Sequence, residues 1–375
     1  MPHGLSPEEL LRYSRHLCIP GVGVDGQLRL KQASVLLIGC GGLGSPAALY
    51  LAAAGVGRLG LVDADVVEAS NLQRQILHGE SWLGKPKLES AVAHLREVNP
   101  HVAVECHPVR FTADNALEIA RGYDILLDGS DNFATRFLTN DTAFFLSKPL
   151  VYGAIHRFEG QMAVFAPHLG GPCYRCLMPN MPPAGAVPSC AEAGVLGVLP
   201  GIIGSLQAME VIKLILGIGR TPLGQLTDYD ALSSGFRTLT LRRDPDCRLC
   251  GERPEIHQVA NAETTATDLC THPSPTMESI TVTELHALLA NNFTGVLLDV
   301  REPNEHALAN IPQARLIPLA TLPKHLDSLP RDREILIHCK AGGRSAKAVM
   351  FLLDNGFSRV RNVSGGMDAW LEQGW

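Results

Sequence analysis

Residues 35–44, with the sequence Val-Leu-Leu-Ile-Gly-Cys-Gly-Gly-Leu-Gly, decide the fold of the first part of the chain. The apolar run before Gly39 predicts a buried strand, and the small apolar residues at 45–54 predict a helix directly after the glycines. A glycine-rich turn in this position presents backbone N–H groups and the positive end of the helix to an anion. Asp63 lies 19 residues after Gly44, at the end of the next apolar run, where a carboxylate accepts from ribose hydroxyls. The stretch predicts a nucleotide-binding turn; the alternative is a turn that only packs the strand against the helix.

The alternation of strand and helix continues along the chain and implies a parallel α/β sheet. Strands are predicted at 35–38, 58–62, 103–105, 125–128 and 150–152, and helices at 45–54, 85–98, 115–121, 133–146 and 202–216. A second set follows, with strands at 295–300, 334–338 and 360–363 and helices at 283–290 and 345–355. Between the two sets, residues 255–277 have almost no large apolar side chains, as in a linker. We predict a first domain at 1–254, a linker at 255–277 and a second, smaller α/β domain at 278–375.

The composition excludes several classes of protein. With 46% hydrophobic and 19% charged residues the chain is globular, and its net charge of −6 gives no footprint for nucleic acid or an anionic membrane. The longest charge-free stretch, 34–57, contains glycines and Pro46 and predicts strand, turn and helix rather than a membrane span. The first 17 residues lack the apolar core of a signal peptide, and the cysteine spacing suits a reducing compartment, so we expect a cytoplasmic protein.

Two further segments distinguish ATP from NAD as the nucleotide. Residues 71–75 and 84–87 place Arg74 and Lys87 just beyond the second strand, where a triphosphate needs cations and a dinucleotide does not. Asp131, in Ser-Asp-Asn at the end of a later strand, is a candidate ligand for Mg²⁺. Taken alone, Lys87 is equally a solvated helix cation and Asp131 a helix N-cap. Their joint presence and order favour an ATP site.

These motifs resemble those of the MoeB/ThiF family, the bacterial members of the ubiquitin-activating-enzyme superfamily, over nearly all of residues 5–251. The matching motifs are Arg12-Tyr-Ser-Arg15, the glycine-rich turn, Asp63-Ala-Asp65, Asn71-Leu-Gln-Arg-Gln75, Gly84-Lys-Pro-Lys87, Ser130-Asp-Asn132 and Gly204-Ser-Leu-Gln-Ala-Met-Glu210. The resemblance implies a Rossmann-like domain that uses ATP to adenylate the C-terminal glycine of a small β-grasp sulfur-carrier protein ending in Gly-Gly. It also implies a homodimer.

The resemblance assigns roles to individual residues. It implies that Asp63 binds ribose, that Arg74 and Lys87 bind phosphates, that Asp131 holds Mg²⁺ and that Arg15 reaches into the neighbouring subunit's site. The nucleotide-binding set that it implies is Gly39, Gly41, Gly42, Gly44, Asp63, Asp65, Asn71, Arg74, Gln75, Lys87, Asp131 and Asn132.

Two C-x₂-C pairs predict a metal site. Four thiolates from two such pairs make a closed tetrahedral set that suits Zn²⁺, whereas two independent redox pairs would each need a thioredoxin-like context. We predict a structural Zn²⁺ site, which the family resemblance also carries. Its ligands are Cys173, Cys176, Cys247 and Cys250.

Cys339 is the predicted sulfur carrier of the second domain. It follows the apolar run 334–338 and precedes a helix, so backbone N–H groups, Lys340 and Arg344 would lower the pKa of its thiol. A cysteine phosphatase is the rival interpretation, but the spacing here is C-x₄-R rather than the C-x₅-R of those enzymes. Residues 278–375 resemble a rhodanese domain through the motifs at 298–302, 339–345 and 362–370. The resemblance implies that Cys339 accepts sulfur from thiosulfate or a cysteine desulfurase, and Asp299 and Arg301 are interpreted as a structural pair.

The two domains together predict one product. An acyl-adenylate from the first and a persulfide from the second would give the carrier thiocarboxylate, for molybdopterin, thiamine or another sulfur-containing metabolite. Cys190 is either a catalytic thiol in this sequence of reactions or a bystander. Two alternatives are an NAD-dependent enzyme with a redox domain and an activator of a ubiquitin-like modifier for protein conjugation.

Overall fold

The computed structural model describes residues 4–182, 194–261 and 278–375. It divides into two compact units, Met1–Thr264 and Thr265–Trp375. Each unit contains its own β-sheet and its own hydrophobic core. The fold class is therefore the predicted one, an α/β domain followed by a smaller α/β domain.

Eight strands lie in the described part of the first unit. They are β1 (Ser34–Ile38), β2 (Arg58–Val62), β3 (Ala103–His107), β4 (Ile125–Asp128), β5 (Leu150–His156), β6 (Glu159–Phe165), β7 (Gln225–Asp230) and β8 (Gly235–Thr240). Its helices in the described ranges are α1 (Pro7–Arg12), α2 (Ser14–Leu17), α3 (Gly23–Gln32), α4 (Gly44–Ala54), α5 (Lys87–Val98), α6 (Ala113–Arg121), α7 (Phe133–Phe145), α8 (Tyr174–Leu177) and α9 (Val198–Leu216). Short 3₁₀ turns lie at Ala69–Asn71, Glu80–Trp82 and Pro167–Leu169.

The sheet of the first unit has the order β3-β2-β1-β4-β5-β6-β7-β8. The first five strands are parallel, as the alternation of strand and helix predicts. The last three run antiparallel and were not predicted. A tight turn in which Arg157 has a positive φ of 54° joins β5 to β6, and the polar strand β8 is exposed along nearly its whole length. Strands β7 and β8 lack the apolar run that marks a buried parallel strand.

The core of this unit lies between the sheet and its helices. All of β1 is buried, and the alanine-rich α4 packs against it through Ala47, Ala48 and Leu51. Helix α9 is long and apolar enough to cross a bilayer by length and composition. It instead packs on α4, β5 and β6, and its side chains Leu199 and Ile203 are fully buried, as in the core helix of a globular domain.

Glycines at the boundary between β1 and β4 allow two backbone segments to touch. A Cβ atom at Gly44 would lie 2.0 Å from the carbonyl oxygen of Gly39. A Cβ atom at Gly129 would lie 2.8 Å from the same oxygen, and Gly39 itself has a φ of +97°. The turn after β1 therefore packs directly on the turn after β4, at the point where a doubly wound sheet binds its ligands.

The second unit is a five-stranded parallel sheet with the order β11-β10-β12-β13-β9. Its strands are β9 (Ser279–Thr281), β10 (Val296–Asp299), β11 (Ala314–Leu316), β12 (Ile335–His338) and β13 (Val360–Ser364). Its helices are α10 (Val282–Ala290), α11 (Pro303–Leu308), α12 (Gly343–Asp354) and α13 (Gly366–Glu372), with a 3₁₀ segment at Leu319–Ser328. Strands β10 and β12 supply buried residues to both faces.

The predicted linker begins with residues that contact the first unit. Glu255 pairs with Arg248 at 2.6 Å, and Ile256 packs beside the four-cysteine cluster. The side chain of Asn261 accepts from the backbone N–H of Ala113 at 2.8 Å. We therefore propose that the first domain extends to about residue 261, and the remaining predicted linker, 262–277, lies outside the described residues.

Substituting Gly129 tests the contact between the two turns. We expect Gly129→Ala to destabilise the first domain by about 3 kcal/mol, because its Cβ would lie 2.8 Å from the carbonyl oxygen of Gly39 and 3.1 Å from the backbone nitrogen of Gly44. Gly41→Ala is the matched control, since its Cβ would meet only the side-chain amide of Gln75, at 3.7 Å. Scanning calorimetry of the full chain provides the measurement, with the transition of the second domain as internal reference. Equal shifts for the two variants would contradict the packing role.

Candidate functional site

A cavity of about 470 Å³ opens at the carboxyl ends of the parallel strands of the first unit. It gathers most of the predicted nucleotide-binding residues, although these come from five separate segments of the chain. The predicted residues that line it are Gly39, Gly41, Gly42, Asp63, Asp65, Arg74, Gln75, Lys87, Asp131 and Asn132. The sequence motifs therefore converge on one site.

The glycine-rich turn is fixed in place by two polar side chains. The carboxylate of Asp63 accepts from the backbone N–H of Cys40 at 2.9 Å and from that of Asp65 at 2.9 Å. His78 is buried on the other side, with Nε2 3.0 Å from the carbonyl oxygen of Cys40 and Nδ1 3.1 Å from the hydroxyl of Ser90. Burial lowers the pKa of His78, so the ring is neutral at physiological pH and Nε2–H donates to Cys40. His78 was not predicted, because it follows no strand and belongs to no motif.

The two predicted cations of the cavity already have partners within the chain. The ammonium group of Lys87 is buried and lies 3.0 Å from the carboxylate of Asp65. The guanidinium of Arg74 donates to the carbonyl oxygen of Ser70 at 2.7 Å. The carbonyl of Asn71 accepts from the N–H groups of Arg74 and Gln75 at 3.0 and 2.9 Å. Asn71 itself is buried and does not line the cavity, and Gly44 serves in packing.

Asp131 stands on a turn that a second carboxylate stabilises. Asp128, at the end of β4, is fully buried and accepts from the backbone N–H and the hydroxyl of Ser130 at 2.9 and 2.6 Å. Burial raises the pKa of Asp128. Gln207 on α9 donates to the carbonyl of Asp128 at 2.8 Å, which ties the turn to the core. Asp131 is exposed at the cavity, and Asn132 caps α7 by accepting from Thr135 at 2.9 Å.

Several lining residues were missed from the sequence. Arg136 lies one turn into α7, is 9% exposed and stacks near the rings of Phe133 and Tyr152. Arg110, Phe111 and Thr112 line the cavity from the segment after β3. Their position just beyond the carboxyl end of a parallel strand was an available signal, because ligands of such sheets bind there.

Two predicted residues lie away from this cavity or cannot be placed. Arg15 on α2 is exposed and is not among the residues that line the cavity of its own chain. Cys190 lies outside the described residues. Their predicted roles stay predictions.

The four predicted metal ligands come together in one cluster. The sulfur atoms of Cys173, Cys176, Cys247 and Cys250 all lie within 4.8 Å of one another. The Cys173–Cys247 and Cys176–Cys250 distances are 3.6 and 3.4 Å. Sulfurs around a tetrahedral ion with Zn–S bonds of about 2.3 Å are about 3.8 Å apart, so the donor set fits a closed metal site.

Polar contacts hold the first cysteine pair against α7. Asn140 accepts from the backbone N–H of Tyr174 at 2.7 Å, and Asp141 binds the guanidinium of Arg175 through two hydrogen bonds of 2.8 and 2.7 Å. Hydrogen bonds among the four thiols lower the pKa of Cys176 and Cys247 and raise the pKa of Cys173 and Cys250. The first cysteine pair is thus anchored to α7.

The second unit places Cys339 in the turn between β12 and α12. The residue is 1% exposed, and its sulfur accepts from the N–H of Gly342 at 3.1 Å and lies 3.3 Å from the hydroxyl of Ser345. The carbonyl of Cys339 accepts from Met367 at 2.8 Å. That approach requires Gly366, where a Cβ atom would lie 2.4 Å from the same oxygen. N–H and O–H donors around the sulfur stabilise a thiolate.

Asp299 and Arg301 form the expected structural pair at the base of this turn. Asp299 is fully buried, and its carboxylate binds Nε and Nη2 of Arg301 and the ring of His306. Burial raises the pKa of Asp299, but the hydrogen bonds from Arg301 and the charge of the neighbouring groups outweigh it and lower that pKa to about 2. The carboxylate is therefore ionised at neutral pH.

Comparisons with known proteins identify the family of each domain. The ThiF family model matches residues 13–249, and the Rhodanese-like domain model matches residues 281–373. The fold is also that of solved structures of Escherichia coli MccB. The chain of the complex with MccA-N7isoASN has a TM-score of 0.59 at 24% identity, over 67% of this chain and 76% of that one.

Curated relatives are similar over nearly the whole chain. The "Probable adenylyltransferase/sulfurtransferase MoeZ" of Mycobacterium tuberculosis is 46% identical over 98% of this chain and 94% of its own length. The "Adenylyltransferase and sulfurtransferase MOCS3" of Sus scrofa is also 46% identical, over 98% of this chain and 86% of its own length. The "Sulfur carrier protein adenylyltransferase" of Thermus thermophilus is 55% identical over 68% of this chain and 96% of its own length.

Fold and sites therefore define an adenylating enzyme joined to a sulfurtransferase domain, and the chain belongs to the ThiF family. Within that family it is an adenylyltransferase/sulfurtransferase with a C-terminal rhodanese-like domain.

Removing a cluster cysteine tests the metal site. We expect about one metal ion per chain in freshly purified, reduced protein, and its loss together with a fall in Tm of about 10 °C for Cys173→Ser or Cys250→Ser. Cys106→Ser is the control, because Cys106 is an exposed thiol outside the cluster. Elemental analysis and thermal unfolding provide the readouts. Wild-type protein that is well folded without metal would contradict the prediction.

Proposed function

We propose that this enzyme uses ATP to adenylate the C-terminal glycine of a small β-grasp sulfur-carrier protein, and that Cys339 then supplies sulfur to form the carrier thiocarboxylate. The observation that carries the proposal is the cavity that brings Asp63, Arg74, Lys87 and Asp131 together, in a chain that also contains the Cys339 turn. The names of the relatives favour this function over activation of a modifier for protein conjugation.

The adenylation step needs charge stabilisation rather than acid–base chemistry. One carboxylate oxygen of the carrier attacks the α-phosphorus of ATP, the bond to the β-phosphate breaks, and pyrophosphate leaves. Arg74 and Lys87 would stabilise the departing pyrophosphate, and Asp63 would accept from the ribose hydroxyls. Lys87 must exchange its contact with Asp65 for a phosphate oxygen when ATP binds.

Asp131 is the proposed ligand for Mg²⁺. Its exposed carboxylate stands on a turn that Asp128 and Ser130 hold rigid, so it can face phosphate oxygens without rearranging. Such an ion would neutralise phosphate charge. The four-cysteine cluster is the proposed site of a structural Zn²⁺, because four sulfur donors leave no open coordination position.

Sulfur transfer uses the carbonyl that adenylation has activated. Cys339 takes sulfur from thiosulfate or the persulfide of a cysteine desulfurase, and its outer sulfur attacks the carbonyl carbon of the adenylate, so that AMP leaves. The carrier is then joined to Cys339 by an acyl disulfide. A thiol breaks the S–S bond, releases the thiocarboxylate and forms a disulfide with Cys339 that a cellular reductant resolves. Cys190 is this chain's candidate for that thiol.

The setting of the reaction is part of the proposal. None of the eight cysteines among the described residues is in a disulfide, which suits sulfur chemistry in a reducing cytoplasm. The thiocarboxylate would serve synthesis of the molybdenum cofactor, thiamine or another sulfur-containing metabolite.

Separating the two activities by mutation tests this function. We expect Asp131→Ala and Arg74→Ala to reduce carrier-dependent ATP–pyrophosphate exchange by about a hundredfold or more, the cost of losing a charge-stabilising group. Both should keep thiosulfate:cyanide sulfurtransfer. Cys339→Ala should show the reverse pattern, with adenylate formed but no thiocarboxylate unless free sulfide is added.

Mass spectrometry of the carrier provides the decisive readout, because replacing one oxygen by sulfur changes its mass. Glu159→Gln is a suitable control, since this residue is exposed and is not among those that line the cavity. Normal thiocarboxylate formation by Cys339→Ala from thiosulfate would show that another thiol carries the sulfur.

The proposed homodimer would complete the ATP site. Arg15 is exposed on α2 and does not line the cavity of its own chain, which suits a residue that acts on the partner's nucleotide. Its guanidinium would add a further positive charge to the phosphates.

Mixed dimers test this arrangement. Arg15→Ala and Asp131→Ala homodimers should both be inactive in exchange, whereas a heterodimer retains one site with both residues intact. We therefore expect partial recovery when the two variants are mixed. No recovery in heterodimers verified by native mass spectrometry would overturn the shared site.

A further inference from the structure

Arg344, a cation in the turn that contains Cys339, forms a bidentate ion pair with Glu305. Nη1 and Nη2 of Arg344 each lie 2.6 Å from a different carboxylate oxygen of Glu305. The two side chains are 12% and 25% exposed, so the pair lies at the boundary between the domain and water. Two parallel N–H···O bonds are the strongest arrangement that arginine makes with a carboxylate. Arg344 therefore does not present both terminal nitrogens to an anion at the sulfur.

Glu305 is held in place independently of Arg344. It occupies the first turn of α11, and its carboxylate also accepts from the backbone N–H of Glu302 at 3.0 Å. Arg301, which is locked to buried Asp299, donates to the carbonyl oxygens of Glu305 and Ala309 at 3.3 and 2.8 Å. The fold thus fixes the backbone that carries Glu305.

The carboxylate changes the charge that the turn offers to a sulfur donor. Burial raises the pKa of Glu305, but the hydrogen bonds from Arg344 outweigh it and the net shift is downward. Glu305 is therefore ionised at neutral pH, and it cancels the charge of Arg344. Lys340, the other cation of the turn, is exposed, where water and salt screen it.

We propose that Glu305 is a specificity-determining residue for the sulfur donor: by neutralising Arg344, it disfavours dianionic thiosulfate relative to donors with at most one negative charge, such as a cysteine persulfide. This inference requires the proposed role of Cys339 as sulfur acceptor. Glu305 acts through Arg344, and it need not touch the donor.

The transfer is the same for each donor class. The thiolate of Cys339 attacks the terminal sulfur, a new S–S bond forms, and the donor's own bond to that sulfur breaks. Thiosulfate leaves as sulfite, methanethiosulfonate leaves as methanesulfinate, and a persulfide leaves as a thiolate. Thiosulfate and methanethiosulfonate deliver the same atom, and the second carries one negative charge fewer. The pair of donors therefore isolates the effect of charge.

The test compares KM and kcat of the full chain with these two donors and cyanide as acceptor. In Glu305→Gln the KM for thiosulfate should fall about tenfold relative to that for methanethiosulfonate, the scale of one charge-assisted hydrogen bond of about 1.4 kcal/mol. Glu305→Asp keeps the charge and should retain the wild-type ratio of the two KM values. Glu302→Gln is the matched control, since it removes a charge from the start of the same helix but not from Arg344.

A double variant tests whether Glu305 changes the preference between donors through Arg344. In Glu305→Gln/Arg344→Gln the ratio of the KM values for thiosulfate and methanethiosulfonate should return to that of the wild type. The reason is that this variant has no guanidinium whose positive charge Glu305 could neutralise. A purely structural role would change both donors equally in Glu305→Gln, and that result would overturn the inference. Mass spectrometry of the wild-type chain measures how much sulfur each donor transfers to Cys339. This measurement separates the proposed role of Cys339 as sulfur acceptor from the proposed role of Glu305 in donor preference. If neither donor loads Cys339, the proposed function itself fails.

Discussion

The contact between two backbone turns organises the adenylation domain. The turn after β1 and the turn after β4 touch through Gly39, Gly44 and Gly129, where side chains have no room. This contact draws the carboxyl ends of β1 and β4 together, and it thereby sets the distance between the glycine-rich turn and Asp131. The hydrogen bond from Cys40 to Asp63 then adds the end of β2 to the same edge. A site formed by five separate segments of the chain thus depends on one close approach.

The rhodanese-like domain also depends on a close backbone contact that only glycine allows. The turn that holds Cys339 is packed against the start of α13, and Gly366 is needed where the carbonyl of Cys339 passes. Side-chain networks then complete each site: His78 and Asp63 support one turn, and Asp299 with Arg301 supports the segment facing the other. In both domains the glycines fix the backbone path, and buried polar groups fix its orientation.

The parts of this structure that could be predicted are those with a local signal. Buried parallel strands have apolar runs, glycine-rich turns have fixed spacing, and cysteine pairs identify each other, so β1 to β5 and the four-cysteine cluster follow from sequence. Strands β6 to β8 and the lining role of Arg136 depend on contacts with distant residues. The pairing of Arg344 with Glu305, 39 residues earlier, likewise has no local signal. The sequence predicts that Arg344 lies near Cys339, but it gives no sign of Glu305, which binds Arg344 in the folded domain.

The burial of Cys339 has a consequence for how the enzyme avoids damage. With only 1% of the residue exposed, the empty thiol is shielded from bulky oxidants and alkylating agents. In the proposed reaction, an S–S bond of about 2 Å would extend the nucleophile by one atom beyond Sγ. The loaded form would therefore reach a bulky acyl-adenylate more easily than the empty thiol, which needs only to admit the terminal sulfur of its donor. Such an arrangement would limit side reactions between the unloaded state and the acyl-adenylate.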